Sequence, residues 1–253
     1  MNTKNALCRA VKKVGVLTEN NFGGNEMISG VVIEFPSGGK LRVRDCVSRS
    51  KARVTYKHPG FKSGRMHQLE SHLEERAFCL HDANSSVSEI NEQYAKISYF
   101  CHGELKTHYP DLYIRTNVRK VFKEVKTDDA ANDQEIIDRT EVLSKLLPIY
   151  GFEYELLTES EINKEPRLSN CKFLLRHGRT CVSLCEVERV RKFIIEFDGL
   201  SWGQVMSNVF GKHSLSIICN MILRGYCMID INSHWNDETQ ITFFNRFNIK
   251  GVI

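Results

Sequence analysis

The first quarter of the chain alternates apolar and polar side chains with the period of β-strands. Residues 31–35 show this alternation, residues 36–39 (Pro-Ser-Gly-Gly) have the composition of a turn, and residues 40–44 alternate again with basic side chains. The pattern predicts a β-hairpin. Arg42 and Arg44 are expected on one face of its return strand, in a position suited to contacting a phosphate backbone.

A stripe of apolar side chains at helical spacing predicts an amphipathic helix over roughly residues 65–81. The stripe consists of Met66, Leu69, Leu73, Ala77 and Leu80. Glu70 and Glu74 fall at its margin together with His67, and a carboxylate there can reach a site on an adjacent sheet. The spacing does not choose between Glu70 and Glu74, and a solvated helix face is the alternative interpretation of the pair.

The next segment has the order of elements of an α/β domain. Candidate strands occupy residues 92–100, 109–115 and 120–126, with turns at Gly103 and at residues 116–120. A helical pattern at 133–148 precedes a further candidate strand at 152–157. The strand at 120–126 should return antiparallel to the strand before it. The strand–helix–strand order that follows predicts a crossover to a parallel neighbour.

Helices and two short strands are predicted for the C-terminal part of the chain. A basic helical segment spans 167–198, a second helix spans 214–224, and candidate strands follow at 226–232 and 240–244. Helices followed by a two-stranded wing are typical of a winged helix, which usually places one helix in the major groove of DNA. A small protein-docking domain of the same shape is the alternative.

Composition and charge narrow the class of protein. Of the chain, 42% is apolar and 26% charged, as in ordinary globular proteins. No apolar run approaches the ~18 residues of a membrane helix, and residues 1–7 lack the apolar core of a signal peptide. Nine scattered cysteines favour reduced thiols in the cytoplasm.

Residues 1–65 hold 13 Lys and Arg against 4 Asp and Glu, whereas the remainder holds 22 against 27. This imbalance favours a polyanionic partner for the N-terminal part, with a merely solubilising surface as the alternative.

The candidate chemistry lies in a Pro-Asp pair, twelve further residues and then Glu-x-Lys. Alternation along the strand points Glu124 and Lys126 to the same face. Asp111 and Glu124 on neighbouring strands can hold Mg²⁺ through oxygen ligands, with waters completing the octahedron. A nearby lysine can orient a water or stabilise developing charge. The constellation predicts a metal-dependent phosphodiester hydrolase. His102 and His108 flank this region, where a histidine is more often a surface or packing residue.

Four motifs in order resemble the TnsA family, the endonuclease subunit of heteromeric, TnsABC-type transposases. They are Gly64-Arg65-x-His67 leading into Leu73-Glu74, Tyr109-Pro110-Asp111-Leu112, Glu124-Val125-Lys126, and Leu157-Thr158-Glu159-x-Glu161-Ile162. The resemblance covers roughly residues 30–175. We therefore expect a restriction-endonuclease-like (PD-(D/E)XK) α/β domain at 61–164, a mixed sheet flanked by helices. A basic N-terminal β extension at 1–60 is expected to pack on it, and a winged-helix-like domain for DNA or partner binding to follow at 165–253.

The resemblance also implies roles for individual residues. It places the family's catalytic glutamate at Glu74, its metal-binding aspartate at Asp111 and its catalytic lysine at Lys126. The second ligand position, which is glutamine in some members, is Glu124. Together with the carbonyl of Val125, these carboxylates are expected to hold Mg²⁺, for which Mn²⁺ should substitute. The candidate DNA contacts are Arg42, Arg44, Lys62 and Arg65.

The family's activity implies partners as well as chemistry. Its members cut the 5′ ends of a transposon during cut-and-paste transposition. They act with a DDE transposase (TnsB-like) and an AAA+ regulator (TnsC-like). Double-stranded transposon-end DNA is thus the expected substrate, and we expect a cytoplasmic, nucleoid-associated bacterial protein without a membrane partner. One alternative is a stand-alone restriction-type or junction-resolving nuclease. The other is a non-catalytic DNA-binding assembly subunit that has kept the nuclease fold.

Overall fold

The computed structural model describes residues 13–14, 17–22, 25–44 and 55–243. The strands are β1 (Lys13–Val14), β2 (Leu17–Phe22), β3 (Asn25–Glu34), β4 (Tyr56–Pro59), β5 (Met66–Leu69), β6 (Val87–Glu92), β7 (Lys96–Cys101), β8 (Glu104–His108), β9 (Leu112–Thr116), β10 (Lys120–Lys126), β11 (Glu153–Thr158), β12 (Leu200–Ser201), β13 (Cys227–Met228) and β14 (Gln240–Phe243). The α-helices are α1 (His72–Ala83), α2 (Gln134–Leu146), α3 (Glu159–Ile162), α4 (Arg167–His177), α5 (Leu184–Glu196), α6 (Trp202–Met206) and α7 (Ser214–Leu223). Single 3-10 turns cover Ala130–Asn132 and Leu147–Tyr150.

The chain divides into two compact units. The first contains the residues up to Phe78 together with Ser88–Glu161, and the second contains Cys79–Val87 together with the residues from Ile162 onward. Parts of the predicted N-terminal extension and the last residue of the strand predicted at 240–244 lie outside the described residues. Within the described ranges, no helix combines the length and the hydropathy needed to cross a bilayer.

The first unit is built around two sheets. One has the strand order β11-β10-β9-β6, and the other has the order β1-β3-β7-β8 with β2 paired to β3. Strands β9 and β10 are antiparallel, with Lys123 opposite Leu112, because the few residues between them allow no crossover. Strands β10 and β11 are parallel and are joined through α2. The predicted antiparallel return and the predicted parallel crossover are both confirmed.

An apolar core in this unit is shared by strands of both sheets and by α2. Its fully or nearly fully buried members are Val31, Ile33, Ala95, Ile97, Tyr99, Cys101, Tyr113, Phe122, Leu143, Leu147, Phe152 and Tyr154. Phe122 of β10 stacks against Phe152, with ring centroids 5.2 Å apart. Because Phe122 and Glu124 lie two residues apart on one strand, burial of the ring helps to fix the direction of the carboxylate.

The hairpin predicted at residues 31–44 is wrong in its second strand. Residues 31–34 of β3 pair with residues 96–99 of β7, and residues 40–44 form no strand. Val31 and Ile33 are fully buried, whereas Leu41 is 56% exposed. Pairing with β7 buries the apolar face of the first segment, whereas the apolar side chain of Leu41 in the basic segment stays exposed.

The helix predicted over residues 65–81 begins seven residues later, at His72. Residues 66–69 form β5 and pair with β4. Met66, predicted to lie in the buried helical stripe, is therefore exposed, and His67, predicted at its margin, is fully buried. The turn between β4 and β5 needs Gly60, because an added Cβ would overlap the Ser63 hydroxyl and lie 2.8 Å from the buried ring of His67. The strand pairing, a contact between distant positions, overrides the helical spacing of Met66 and Leu69.

The single strand predicted at residues 92–100 is divided between the two sheets. Strand β6 ends at Glu92 and pairs with β9, whereas β7 begins at Lys96 and pairs with β3 and β8. Gln93 lies at this division in the left-handed region, with φ of +46°. The turn predicted at Gly103 joins β7 to β8, and the strand predicted at 109–115 begins at Leu112. Asp111 therefore precedes its strand.

The second unit begins with two helices where the sequence predicts one helical segment at 167–198. The break is at Gly178, where the chain passes so close to α7 that an added Cβ would lie 2.6 Å from Leu223. Helix α5 begins after a capping box formed by Ser183 and Glu186. The remaining strands form a three-stranded antiparallel sheet in the order β12-β14-β13.

Helix α7 matches the helix predicted at 214–224 in position, but it has no exposed residue. Its buried residues are Ser214, Ile217, Ile218, Cys219, Asn220, Met221, Ile222 and Leu223. A helix that is apolar on all sides belongs in a core. The prediction that a helix of this domain enters a DNA groove therefore has no support from α7.

A buried carboxylate, Glu92, ties β6 to the β4–β5 hairpin. Glu92 is 1% exposed and accepts hydrogen bonds from both terminal nitrogens of Arg65, at 3.0 and 2.8 Å. Nδ1 of His67 lies 2.5 Å from Oε2 of Glu92, and Nε2 of the same ring lies 2.7 Å from Oγ of Ser63. Burial alone raises the pKa of Glu92, but the bonds from His67 and Arg65 outweigh it and lower the pKa from 4.5 to about 2.

We expect Glu92→Gln to lower the free energy of unfolding by about 3 kcal/mol near neutral pH, because it removes one partner of a buried ion pair. A carboxyl group whose pKa is lower in the folded state stabilises the fold above its unfolded pKa. The difference from wild type should thus be complete above pH 4.5 and shrink as the pH falls towards 2.

Urea denaturation at a series of pH values measures this difference. The matched control is Glu89→Gln on the same strand, which removes the part-exposed ion pair with Arg115 and should cost less than about 1 kcal/mol. Equal losses in the two variants, or a loss for Glu92→Gln that does not depend on pH, would contradict the assigned role of Glu92.

Candidate active site

Asp111 lies immediately before β9, where both of its carboxylate oxygens are held by protein groups. Oδ2 accepts a hydrogen bond from the backbone N–H of Val125 at 2.8 Å, and Oδ1 lies 3.4 Å from Nε2 of Gln93. The residue keeps some contact with solvent, but the surrounding protein raises the pKa of Asp111 well above its usual value, chiefly by burial. The like charges of Glu124 and Glu74 raise this pKa further.

Glu124 projects from β10 and is 3% exposed. Its Oε1 lies 2.7 Å from Nζ of Lys126 and accepts a hydrogen bond from Nη2 of Arg139 at 3.0 Å. Nε2 of His108 is 3.1 Å from Oε2. Burial alone raises the pKa of Glu124, but the interactions with His108 and Lys126 outweigh it and lower the pKa to about 2. Glu124 is therefore a carboxylate at neutral pH.

Glu74 reaches the same region from the first turn of α1. Its Oε2 accepts a hydrogen bond from the backbone N–H of Glu70 at 2.9 Å, and its Oε1 accepts one from the Ser71 hydroxyl at 3.0 Å. The backbone N–H of Glu74 in turn donates to Ser71 at 3.1 Å. This is a variant of the capping box, with Ser71 as N-cap and Glu74 as N3. The cap both starts the helix and fixes the carboxylate.

The structure distinguishes the two glutamates that helical spacing leaves open. Glu70 precedes α1, and its carboxylate accepts a hydrogen bond from Arg44 at 2.8 Å. Glu74, by contrast, interacts electrostatically with Lys126 and with Asp111. Burial is the main reason that the pKa of Glu74 is raised. Glu74 is thus the glutamate of α1 that lies with the candidate site residues.

Lys126 completes the cluster from the end of β10. Burial lowers the pKa of its ammonium group, but the charges of Glu124 and Asp111 outweigh burial, so that the pKa lies above its ordinary value. The side chain remains 28% exposed. The ammonium group is therefore charged at neutral pH and is accessible to a substrate.

The four candidate DNA contacts are placed beside internal partners. Arg65 is bonded to Glu92, and Nη1 of Arg42 lies 3.6 Å from the same carboxylate. Arg44 contacts Glu70 and lies over the ring of Tyr109, 5.8 Å from its centroid. Lys62 lies in the turn between β4 and β5 and is half-buried. Among Arg42, Arg44 and Arg65, Arg44 has the most exposed side chain.

Three residues contact the candidate site residues although the sequence does not single them out. Arg139 lies on α2 and Gln93 lies between β6 and β7, and the sequence around neither residue predicts its partner. For His108 the sequence favours a surface or packing role, yet its Nε2 lies 3.1 Å from Oε2 of Glu124 and 3.0 Å from the Tyr154 hydroxyl. The Ser-x-x-Glu spacing at residues 71–74, a capping signal, could have located the start of α1.

The candidate site offers oxygen ligands to a divalent cation. Over the described ranges, no three Cys, His, Asp or Glu side chains form a complete ligand set. Asp111 and Glu124 nevertheless supply two carboxylates, and Mg²⁺ commonly takes one or two and keeps several waters. Oε2 of Glu124 is buried and receives no well-directed hydrogen bond from the described residues. Burial and then the charges of Glu124 and Glu74 raise the pKa of Asp111, and a cation bound at this carboxylate offsets both effects. The residues fit a Mg²⁺ ion.

Comparison with known proteins gives a result for the central part of the chain. Residues 84–159 match the family model described as TnsA-like endonuclease N terminal. The matched segment contains Asp111, Glu124 and Lys126 and begins after Glu74. No curated protein matches the chain. The resemblance stated from the sequence is confirmed for this segment.

We expect Ser71→Ala to lower the free energy of unfolding by about 1 kcal/mol, because it removes the N-cap of α1 and a hydrogen bond to Glu74. Ser71→Asn keeps an N-cap acceptor and should recover most of the loss. Urea denaturation of the three proteins provides the comparison. The account of the cap is wrong if Ser71→Ala is as stable as wild type, or if Ser71→Asn is no more stable than Ser71→Ala.

Proposed function

We propose, from the premise that residues 84–159 form a TnsA-like endonuclease N-terminal domain, that the protein is a Mg²⁺-dependent DNA endonuclease. One observation carries the proposal. Glu74 from a capped helix, Asp111 from the start of β9, and Glu124 with Lys126 from β10 share one electrostatic environment. Such carboxylates can bind a hard cation, and a lysine beside them can stabilise the charge that develops in phosphodiester hydrolysis.

In the proposed site, Asp111 and Glu124 hold the cation, with Mn²⁺ able to substitute for Mg²⁺. The carbonyl of Val125 is a third candidate ligand. Within a strand, the N–H and C=O of one residue point to the same neighbour, and the N–H of Val125 points to Asp111. When bound, the metal polarises a phosphoryl oxygen and acidifies a water.

The remaining roles fall to Lys126 and Glu74. Lys126 is charged and partly exposed, so that it can orient a water molecule or stabilise the charge that develops on the phosphoryl oxygens. Glu74 has a raised pKa and is fixed by the cap of α1. It is suited to serve as a further ligand or to accept a proton from a water. Arg139 and His108 hold Glu124 in place.

The proposed biological role is cleavage at the 5′ ends of a transposon as one subunit of a heteromeric transposase. The family match supports this role. Double-stranded transposon-end DNA is the proposed substrate, and a DDE transposase and an AAA+ regulator are the proposed partners. Arg42, Arg44, Lys62 and Arg65 remain proposed DNA contacts, among which Arg44 has the most open side chain of the three arginines.

The second unit is proposed to be a winged-helix-like domain that docks a protein partner. Its order of helices and its three-stranded antiparallel sheet support the winged-helix assignment. The burial of α7 leaves no helix face at that position for a DNA groove. Protein docking, the alternative interpretation of the sequence, is therefore the role that we favour for this unit.

We expect Asp111→Asn to lower the rate of Mg²⁺-dependent cleavage of transposon-end DNA more than about 10³-fold and to keep DNA affinity within about threefold of wild type. The carboxylate is needed for the cation, whereas phosphate contacts from Arg and Lys dominate DNA binding. Gel assays of nicking, in the presence of the partner transposase, and fluorescence anisotropy of labelled DNA measure the two quantities.

The matched control is Asp133→Asn, an exposed carboxylate of the same unit whose side chain makes no capping hydrogen bond. This variant should cleave like wild type. Full nicking activity of Asp111→Asn would overturn the assignment of the site. A loss of DNA affinity as large as the loss of cleavage would show instead that Asp111 acts in binding.

A further inference from the structure

Gln93 is a buried polar residue whose side-chain amide lies beside Asp111. The residue is 2% exposed. Its Nε2 lies 3.4 Å from Oδ1 of Asp111, and its Oε1 has no hydrogen-bond partner among the residues that the structure describes. A carboxylate only accepts hydrogen bonds, so the amide nitrogen must face Asp111. A buried amide oxygen without a partner is destabilising, and such an atom calls for a ligand or a water.

The backbone of Gln93 is held in a conformation that is unfavourable for a residue with a Cβ. Its φ of +46° lies in the left-handed region, where a Cβ lies too close to the following carbonyl oxygen. Two backbone hydrogen bonds maintain it: the N–H of Gln93 donates to the carbonyl of Asp111 at 3.1 Å, and its carbonyl accepts from Val43 at 3.0 Å. Glycine would adopt this conformation without steric cost. A glutamine at this position therefore points to a use for its side chain.

The neighbouring residue makes this position rigid. Glu92 is bonded to Arg65 and to His67, so the chain is anchored immediately before Gln93. The hydrogen bond from the backbone N–H of Gln93 to the carbonyl of Asp111 anchors Gln93 itself. An amide placed with such precision is suited to orient a metal ligand and a water at the same time.

We propose that Gln93 is a positioning residue of the metal site, which donates a hydrogen bond to Asp111 and accepts one from a water of the cation's hydration shell. The inference rests on the proposed function. Mg²⁺ keeps several of its waters in protein sites, and groups that bond to its ligands are important for its affinity. Glutamine is suited to the position because one amide supplies a donor and an acceptor, whereas an ionised glutamate lacks the donor and a methionine offers only a weak acceptor.

The experiment is titration calorimetry of the full-length protein with Mn²⁺ alone. Gln93→Met keeps the length and burial of the side chain and removes both hydrogen bonds. We expect its Mn²⁺ affinity to fall by roughly 10- to 100-fold, the usual effect of losing a group that orients a metal ligand. The control is Gln134→Met in the same unit, whose amide bonds to Asp138 on the surface of α2. This variant should bind Mn²⁺ like wild type.

A second variant covers the case in which Gln93→Met does not fold. Gln93→Asn is compatible with a positive φ, but its shorter side chain does not reach Asp111, so its Mn²⁺ affinity should fall as well. The free energy of unfolding without metal is measured for each variant. A purely packing role changes that free energy and leaves the Mn²⁺ affinity of the folded protein unchanged.

Asp111→Asn separates this inference from the proposed function. If wild type binds Mn²⁺, Asp111→Asn does not, and a folded Gln93 variant binds within twofold of wild type, the role of Gln93 is wrong and the metal site stands. If wild type does not bind Mn²⁺, or if Asp111→Asn leaves its affinity unchanged, the proposed metal site is wrong, and the role of Gln93 is wrong with it.

Discussion

The repulsion among three neighbouring carboxylates is the constraint on which the site of this protein depends. Glu74, Asp111 and Glu124 each lose solvation in the fold, and the pKa of Asp111 is raised by burial and further by the charges of the other two. Such a cluster is stable only if cations and N–H groups compensate for it. Lys126 and the N–H of Val125 supply part of this compensation inside the protein. The remaining repulsion favours the binding of a divalent cation.

The fold supplies each compensating group from a different element. The antiparallel register of β9 and β10 places the start of one strand beside the end of the other, which brings Asp111 to the backbone of Val125. The crossover through α2 brings Arg139 to Glu124. The cap of α1 gives Glu74 its direction. Stability and chemistry therefore depend on the same contacts, so a substitution at one of these supporting residues should affect both.

The parts of the site that the sequence predicts are those set by local geometry. Alternation along β10 places Glu124 and Lys126 on one face, and the short connection to β9 requires antiparallel pairing. The crossover to β11 follows from the helix between the two strands. These features involve residues close together in the chain, and the structure confirms the pairing of the strands.

The features that the sequence does not predict depend on contacts between distant residues. Met66 and Leu69 have helical spacing with Leu73, yet pairing with β4 makes them part of a strand. Arg44 and Glu70 are 26 residues apart, and Gln93 and Asp111 are 18 apart. No periodic pattern in the sequence predicts contacts between residues so far apart. The buried state of α7 is likewise set by its packing with α4 and α6, although its apolar composition signals it in part.

The most direct test of the metal site is anomalous scattering from crystals of the protein soaked in Mn²⁺. The account predicts an anomalous peak within ligand distance of the carboxylates of Asp111 and Glu124. It also predicts that the peak is absent from crystals of Asp111→Asn. A structure without a peak at these carboxylates, or with Mn²⁺ bound only elsewhere in the protein, would contradict it.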